Sequence, residues 1–192
     1  MLKKIIFVVV LLIIPANQVY AYDTYNDHIL NGGVGDYGNN KRYYYLTSSA
    51  VDEELKIKEA MGDWIYTTER TGITTPISIR ETSFQSLSSF DFYKDQYWPV
   101  EMGVLGDTLH YRYSSQVDEE YENWGWTKVR LNGANYDINS YWVQKATIAH
   151  EMGHAMGLDH VGNTYAIMYS SADKANVNKA GVDDLNGINH LY

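Results

Sequence analysis

Three of the chain's six histidines lie in the stretch HEMGHAMGLDH, from His150 to His160. In an α-helix, residues i and i+4 are offset by about 40° around the axis and about 6 Å along it, so His150 and His154 share one face. Their imidazoles can both reach a single Zn²⁺ at about 2.0–2.1 Å. In an unbroken helix His160 would sit about 9 Å beyond His154 and point elsewhere, so the helix must end between them. Gly157 is the expected break, because glycine enters left-handed conformations at little cost and commonly ends helices. The chain can then turn and bring His160 back as a third ligand. Three neutral imidazoles leave a fourth position for water, which is the arrangement of a catalytic zinc site and not of a closed structural one. Glu151, beside the ligand pair, can take a proton from a water acidified by the ion and pass it to a leaving amine.

The elements that position these residues are legible in part. A helix is expected from about Ser140 to Met156, carrying the ligand pair, and another from about Val182 to the C-terminus. Upstream, Ser49 looks like an N-cap for a helix reaching to Gly72, with Val51, Leu55, Ile57, Met61, Trp64 and Ile65 on its apolar face. Four strands are expected, in RYYYL (42–46), ISI (77–79), TLHYRY (108–113) and KVRLN (128–132), where apolar residues alternate. The order of strand, helix, three strands, helix, long loop and helix predicts a mixed α/β domain with helices packed on a twisted sheet. Residues 22–40, rich in Gly, Asn and Asp, read as a loop or short pro-segment ahead of a domain spanning 41–192.

The N-terminus and composition bound the rest. Lys3 and Lys4, the apolar run Ile5–Ile14, Pro15 and the small residues of VYA (19–21) read as a signal peptide over 1–21 and a secreted, extracellular product. The apolar run is too short for a stable membrane anchor, which needs about 18 residues or more. The remaining length of about 170 residues suits one domain. A net charge of −9, more negative once Lys3 and Lys4 are removed, argues against nucleic acid and anionic membranes as partners. With no cysteine there is no disulfide, thiolate zinc site or cysteine nucleophile. A monomer is the default expectation. The eighteen tyrosines and five tryptophans have no repeat spacing and read as core and strand residues.

His150, Glu151, His154, Gly157 and His160 fill every fixed position of H-E-x-x-H-x-x-G-x-x-H, and on them the sequence resembles the metzincin metallopeptidases. AIMY (166–169) resembles the methionine turn of the matrixin branch, and DDLNGINHLY (183–192) is similar to the last matrixin helix. The resemblance implies an α/β (α+β) zincin domain with a twisted, mostly parallel sheet, an active-site helix and a methionine turn. It implies a secreted zinc-dependent endopeptidase with His150, His154 and His160 on the metal, Glu151 as general base and acid, and Met168 beneath the ligands. It also implies that Asp183 or Asp184 anchors the turn, and that GVLGDT (103–108) forms a strand at the upper edge of the cleft. An extended peptide or protein substrate would add itself to that strand, touching Gly103, Val104, Leu105 and Tyr169. Ser170, where astacins place a zinc-binding tyrosine, rules out assigning that ligand.

Departures from the matrixin pattern are equally specific. SSA (170–172) stands where a Pro-x-Tyr pocket wall is usual, so pocket preference does not carry over. His28, His110 and His190 do not reproduce the structural zinc site of vertebrate matrixins and are expected at the surface. Ca²⁺ has room in the Asn/Asp/Gly clusters, without EF-hand spacing. A cysteine switch cannot exist, and an aspartate among Asp23, Asp27 and Asp36 is the remaining candidate for latency. Two alternatives stay open: a secreted, zinc-stabilised module without activity, and a peptidase for cell-wall peptides.

Overall fold

The computed structural model describes residues 22–192; the expected signal peptide lies outside them. Two short strands, β1 (Asp23–Thr24) and β8 (Leu158–Asp159), pair with each other. The main sheet contains β2 (Arg42–Leu46), β3 (Ile79–Glu81), β4 (Phe90–Asp95), β5 (Gly106–Arg112), β6 (Ser115–Gln116) and β7 (Trp126–Asn132), in the order β3-β2-β4-β7-β5-β6. The first four of that order run parallel, and β5 is antiparallel to both β7 and β6. Among the described residues there are five α-helices: α1 (Glu54–Ile65), α2 (Thr68–Thr71), α3 (Gly133–Tyr136), α4 (Tyr141–Ala155) and α5 (Val182–Leu191).

Alternation along the strands sends Tyr44, Ile79, Phe90, Phe92, Val129 and Leu131 into the core. There they meet Ile57, Ala60, Met61 and Trp64 of α1 and Ala146, Ile148, Ala149 and Met152 of α4. This is the mixed, mostly parallel sheet with packed helices that the sequence implied. Ser140 caps α4, its Oγ accepting from the Val143 N–H.

Several details differ from the sequence reading. The central strand β4 was not among the four expected, and it is the strand that joins β2 to β7. Its Phe90 and Phe92 alternate, but Asp91 between them is also buried, with Gln85 Nε2–H and Ser88 Oγ–H donating to its carboxylate. The first helix begins at Glu54, not after Ser49, whose Oγ instead accepts from the Lys94 N–H. Val51 lies before the helix and Leu55 on its outer face, and both are exposed, while the buried Glu53 carboxylate is held by Lys56, Lys94 and the Tyr136 hydroxyl. Residues 22–40 have little regular structure yet are packed in: Leu30 and Val34 belong to the core, and the Ser78 N–H donates to the Val34 carbonyl. Among the described residues no helix is long and apolar enough to cross a membrane.

Candidate active site

Helix α4 is buried through its last ten residues, from Ala146 to Ala155, so its position is fixed on all sides. Two indoles and an imidazole grip its carbonyls. Trp64 Nε1–H donates to Ala149 O (3.1 Å), Trp124 Nε1–H to Ala155 O (3.2 Å), and His110 Nε2–H to His154 O (3.1 Å). His110 was expected at the surface but is 1% exposed, with Glu119 beside its other nitrogen; His28 is half-buried and His190 exposed. The helix ends at Ala155, and Gly157 follows at φ 102°. A β-carbon there would also stand 2.9 Å from Leu191 Cδ1 and 3.0 Å from the His28 carbonyl, so glycine is needed for space as well as for conformation.

This turn brings the three histidines together. The Nε2 atoms of His150 and His154 are 3.0 Å apart, and each is 3.1 Å from Nε2 of His160. His150 Nδ1–H donates to Ile167 O (2.8 Å) and His154 Nδ1–H to Leu158 O (2.9 Å). A carbonyl only accepts, so the proton of each ring sits on Nδ1 and the Nε2 lone pairs face one another. Converging lone pairs repel unless a cation lies between them, and the spacing suits one ion at about 2.0–2.1 Å from each nitrogen. Burial holds the imidazoles neutral, lowering His150 to about 4 and lowering His154 and His160 as well. The donor set therefore fits Zn²⁺. Among the described residues this is the one group of three or more His, Asp or Glu side chains able to share an ion. It includes none of Asp23, Asp27 and Asp36, and no carboxylate cluster of the kind Ca²⁺ takes.

Glu151 shares the cleft with the triad. Its Oε2 accepts from Thr108 Oγ1–H (2.9 Å), and a β-carbon on Gly106 would stand 2.9 Å from the Arg130 carbonyl oxygen and 3.2 Å from Glu151 Oε1, which is why that strand position is bare. Burial raises its carboxyl to about 8, opposed by the Thr108 hydroxyl. Nearby, Asp107 is neutralised by the Arg130 guanidinium, whose Nε–H donates at 2.7 Å.

Met168 is buried beneath α4, against Gly153. Of the two candidate anchors, Asp184 reaches the turn. Its carboxylate accepts from the N–H groups of Ile167 (3.2 Å), Met168 (3.4 Å) and Gly181 (2.7 Å). Because Ile167 O in turn receives the His150 proton, the turn ties the last helix to a ligand.

The cleft has a volume of 430 Å³. Gly103, Val104 and Leu105 line it, but as loop: the strand begins only at Gly106. The loop is held by Asn132 and Asn135, whose side-chain N–H groups both donate to Val104 O (2.9 and 3.2 Å). Tyr169 is not among the lining residues; it bridges to Val161, and the wall starts at Ser170 and continues through Ser171, Ala172 and Asp173. Thr147, one turn before His150, also lines the cleft. Tyr25, Thr108, Thr147, Asn132 and Asn135 were not singled out in the sequence. None carries a local signal, since each acts through a partner at least 15 residues away in the chain or through its place on the cleft wall.

A matrixin family profile (peptidase M10) matches residues 56–192, which include every residue of the triad, Glu151, Met168 and the last helix. The chain belongs to the matrixin family. It is also 41% identical over 94 residues, 47% of its length, to a protein of Spodoptera frugiperda ascovirus 1a described as "Putative matrix metalloproteinase". That match spans only 22% of the viral protein. The matrixin assignment agrees with the α/β architecture and implies zinc as the metal.

Proposed function

We propose that this matrixin is a secreted, zinc-dependent endopeptidase that hydrolyses peptide bonds in an extended substrate. The observation that carries the reading is the pairing of three converging Nε2 lone pairs with a buried, proton-hungry carboxylate in one open cleft. Zinc, when bound, supplies Lewis-acid polarisation of the substrate carbonyl and acidifies a water.

The chain's own residues do the rest. Glu151 receives the water's proton on its carboxylate and delivers it to the departing amine. Thr108 Oγ1 orients the carboxylate through Oε2. Substrate alignment falls to β5. Leu105 O accepts from the Asn132 N–H, so odd-numbered residues of this edge bond inward to β7, leaving the main-chain groups of Gly106 and Thr108 directed outward. The β6 hairpin covers β5 only from His110 onward, where the Val117 N–H donates to the His110 carbonyl. An extended peptide can therefore pair with Gly106–Thr108 as an added strand.

Glu151→Ala tests the assignment. The variant is expected to retain zinc and fold while losing nearly all cleavage, and undiminished turnover would remove Glu151 from the mechanism.

A further inference from the structure

The N-terminal segment meets the metal-ligand set at two points. Asp23 and Thr24 pair with Asp159 and Leu158, and the Tyr25 N–H donates to Gly157 O at 3.2 Å. Three consecutive residues are thus bonded along the whole link between the end of α4 and His160. Tyr25 then turns inward, 8% exposed, and its ring stacks on the His154 imidazole at a centroid distance of 5.7 Å and an angle of 26°. Edge contacts with Trp124 (6.4 Å, 78°) and His110 (5.6 Å, 77°) hold the tyrosine ring in turn. Its hydroxyl oxygen lies 2.6 Å from His154 Nδ1, the nitrogen that also faces Leu158 O at 2.9 Å.

We propose that Tyr25 is a positioning residue of the metal centre, its hydroxyl oxygen sharing the His154 Nδ1 proton with the Leu158 carbonyl while Asp23–Tyr25 straps down the turn that delivers His160. This rests on the zinc reading above. Two acceptors around one N–H fix both the tautomer and the tilt of the ring, so Nε2 stays unprotonated and aimed at the ion. Partners of this kind, one bond removed from a metal, change affinity by about 10–100-fold when lost. The strap also links the two events: metal binding should tighten the docking of the N-terminal strand, and the docked strand should tighten metal binding.

The test is Tyr25→Phe in the protein from residue 22 onward, which keeps the stacked ring and removes only the hydroxyl. Competition with a chromogenic chelator is expected to show zinc bound about 10-fold more weakly than in the wild type. The visible spectrum of the cobalt-substituted variant should shift, and the urea midpoint of the zinc-free protein should stay unchanged. A packing role alone would leave the first two readouts untouched. Tyr25→Leu, which removes the ring as well, should weaken zinc at least as much and also lower the urea midpoint. A Tyr25→Phe variant with zinc affinity within twofold of wild type and an unaltered cobalt spectrum overturns the positioning role while leaving the zinc site standing. A wild-type protein that holds no zinc overturns the zinc reading itself, and this inference with it.

Discussion

Met168 lies against Gly153 so closely that a β-carbon on Gly153 would stand 2.2 Å from the methionine sulfur and 3.1 Å from its methyl carbon. The glycine is the residue before His154, so the floor of the site and the ligand helix are fitted to each other at this contact. Gly153→Ala should therefore destabilise the protein by about 1–3 kcal/mol, as overpacking does, although alanine is the better helix former. Urea unfolding measures it, and a gain in stability would mean that Met168 moves aside freely.

Asp184 gathers three backbone N–H groups, two of them from the methionine turn. Removing the carboxylate leaves buried donors without partners, a loss of about 1–3 kcal/mol or more. Asp184→Ala should lower the unfolding midpoint and, because Ile167 O holds the His150 ring, also speed zinc release to a chelator. Unchanged zinc release would separate the turn from the ligand.

The buried Glu151 carboxyl is expected to cost folding stability in the zinc-free protein. Its folded pKa is raised to about 8 from an ordinary 4.5, so the folded state binds the proton more tightly than the unfolded one. The stability this group contributes is full below about pH 4.5 and is lost as pH rises toward 8. Glu151→Gln removes the titration, so its advantage over the wild type should be absent near pH 4.5 and grow to on the order of 4 kcal/mol at pH 8. Urea unfolding of chelator-treated protein across that range provides the comparison, and a pH-independent difference would contradict it.

How much of this was legible depends on the range of each residue's partners. The triad could be read from spacing because two ligands share a helix face and the third follows a glycine that must leave the helix; Gly157 at φ 102° is that break. Asp184 was one of two named carboxylates, and only the folded turn distinguishes them. β4 escaped because the alternation of Phe90 and Phe92 stops at Lys94, leaving too short an apolar pattern to stand out. Val51 and Leu55 looked like core because helical period alone says neither where a helix begins nor how wide its buried face is. Tyr25 sits in a run of loop-forming residues, and its partner His154 is 129 positions away, a relationship that only folding creates.

The central claim, that the triad and Glu151 cut peptide bonds through a bound ion, is tested most directly by mass spectrometry of a mixed peptide library. The library is incubated with zinc-loaded protein, with chelator-treated protein, and with protein to which zinc has been restored. New cleavage products are expected with the loaded protein, absent after chelation while the fold persists, and present again once zinc returns. No products from a folded, zinc-loaded protein, or cleavage undiminished after complete zinc removal, would contradict it.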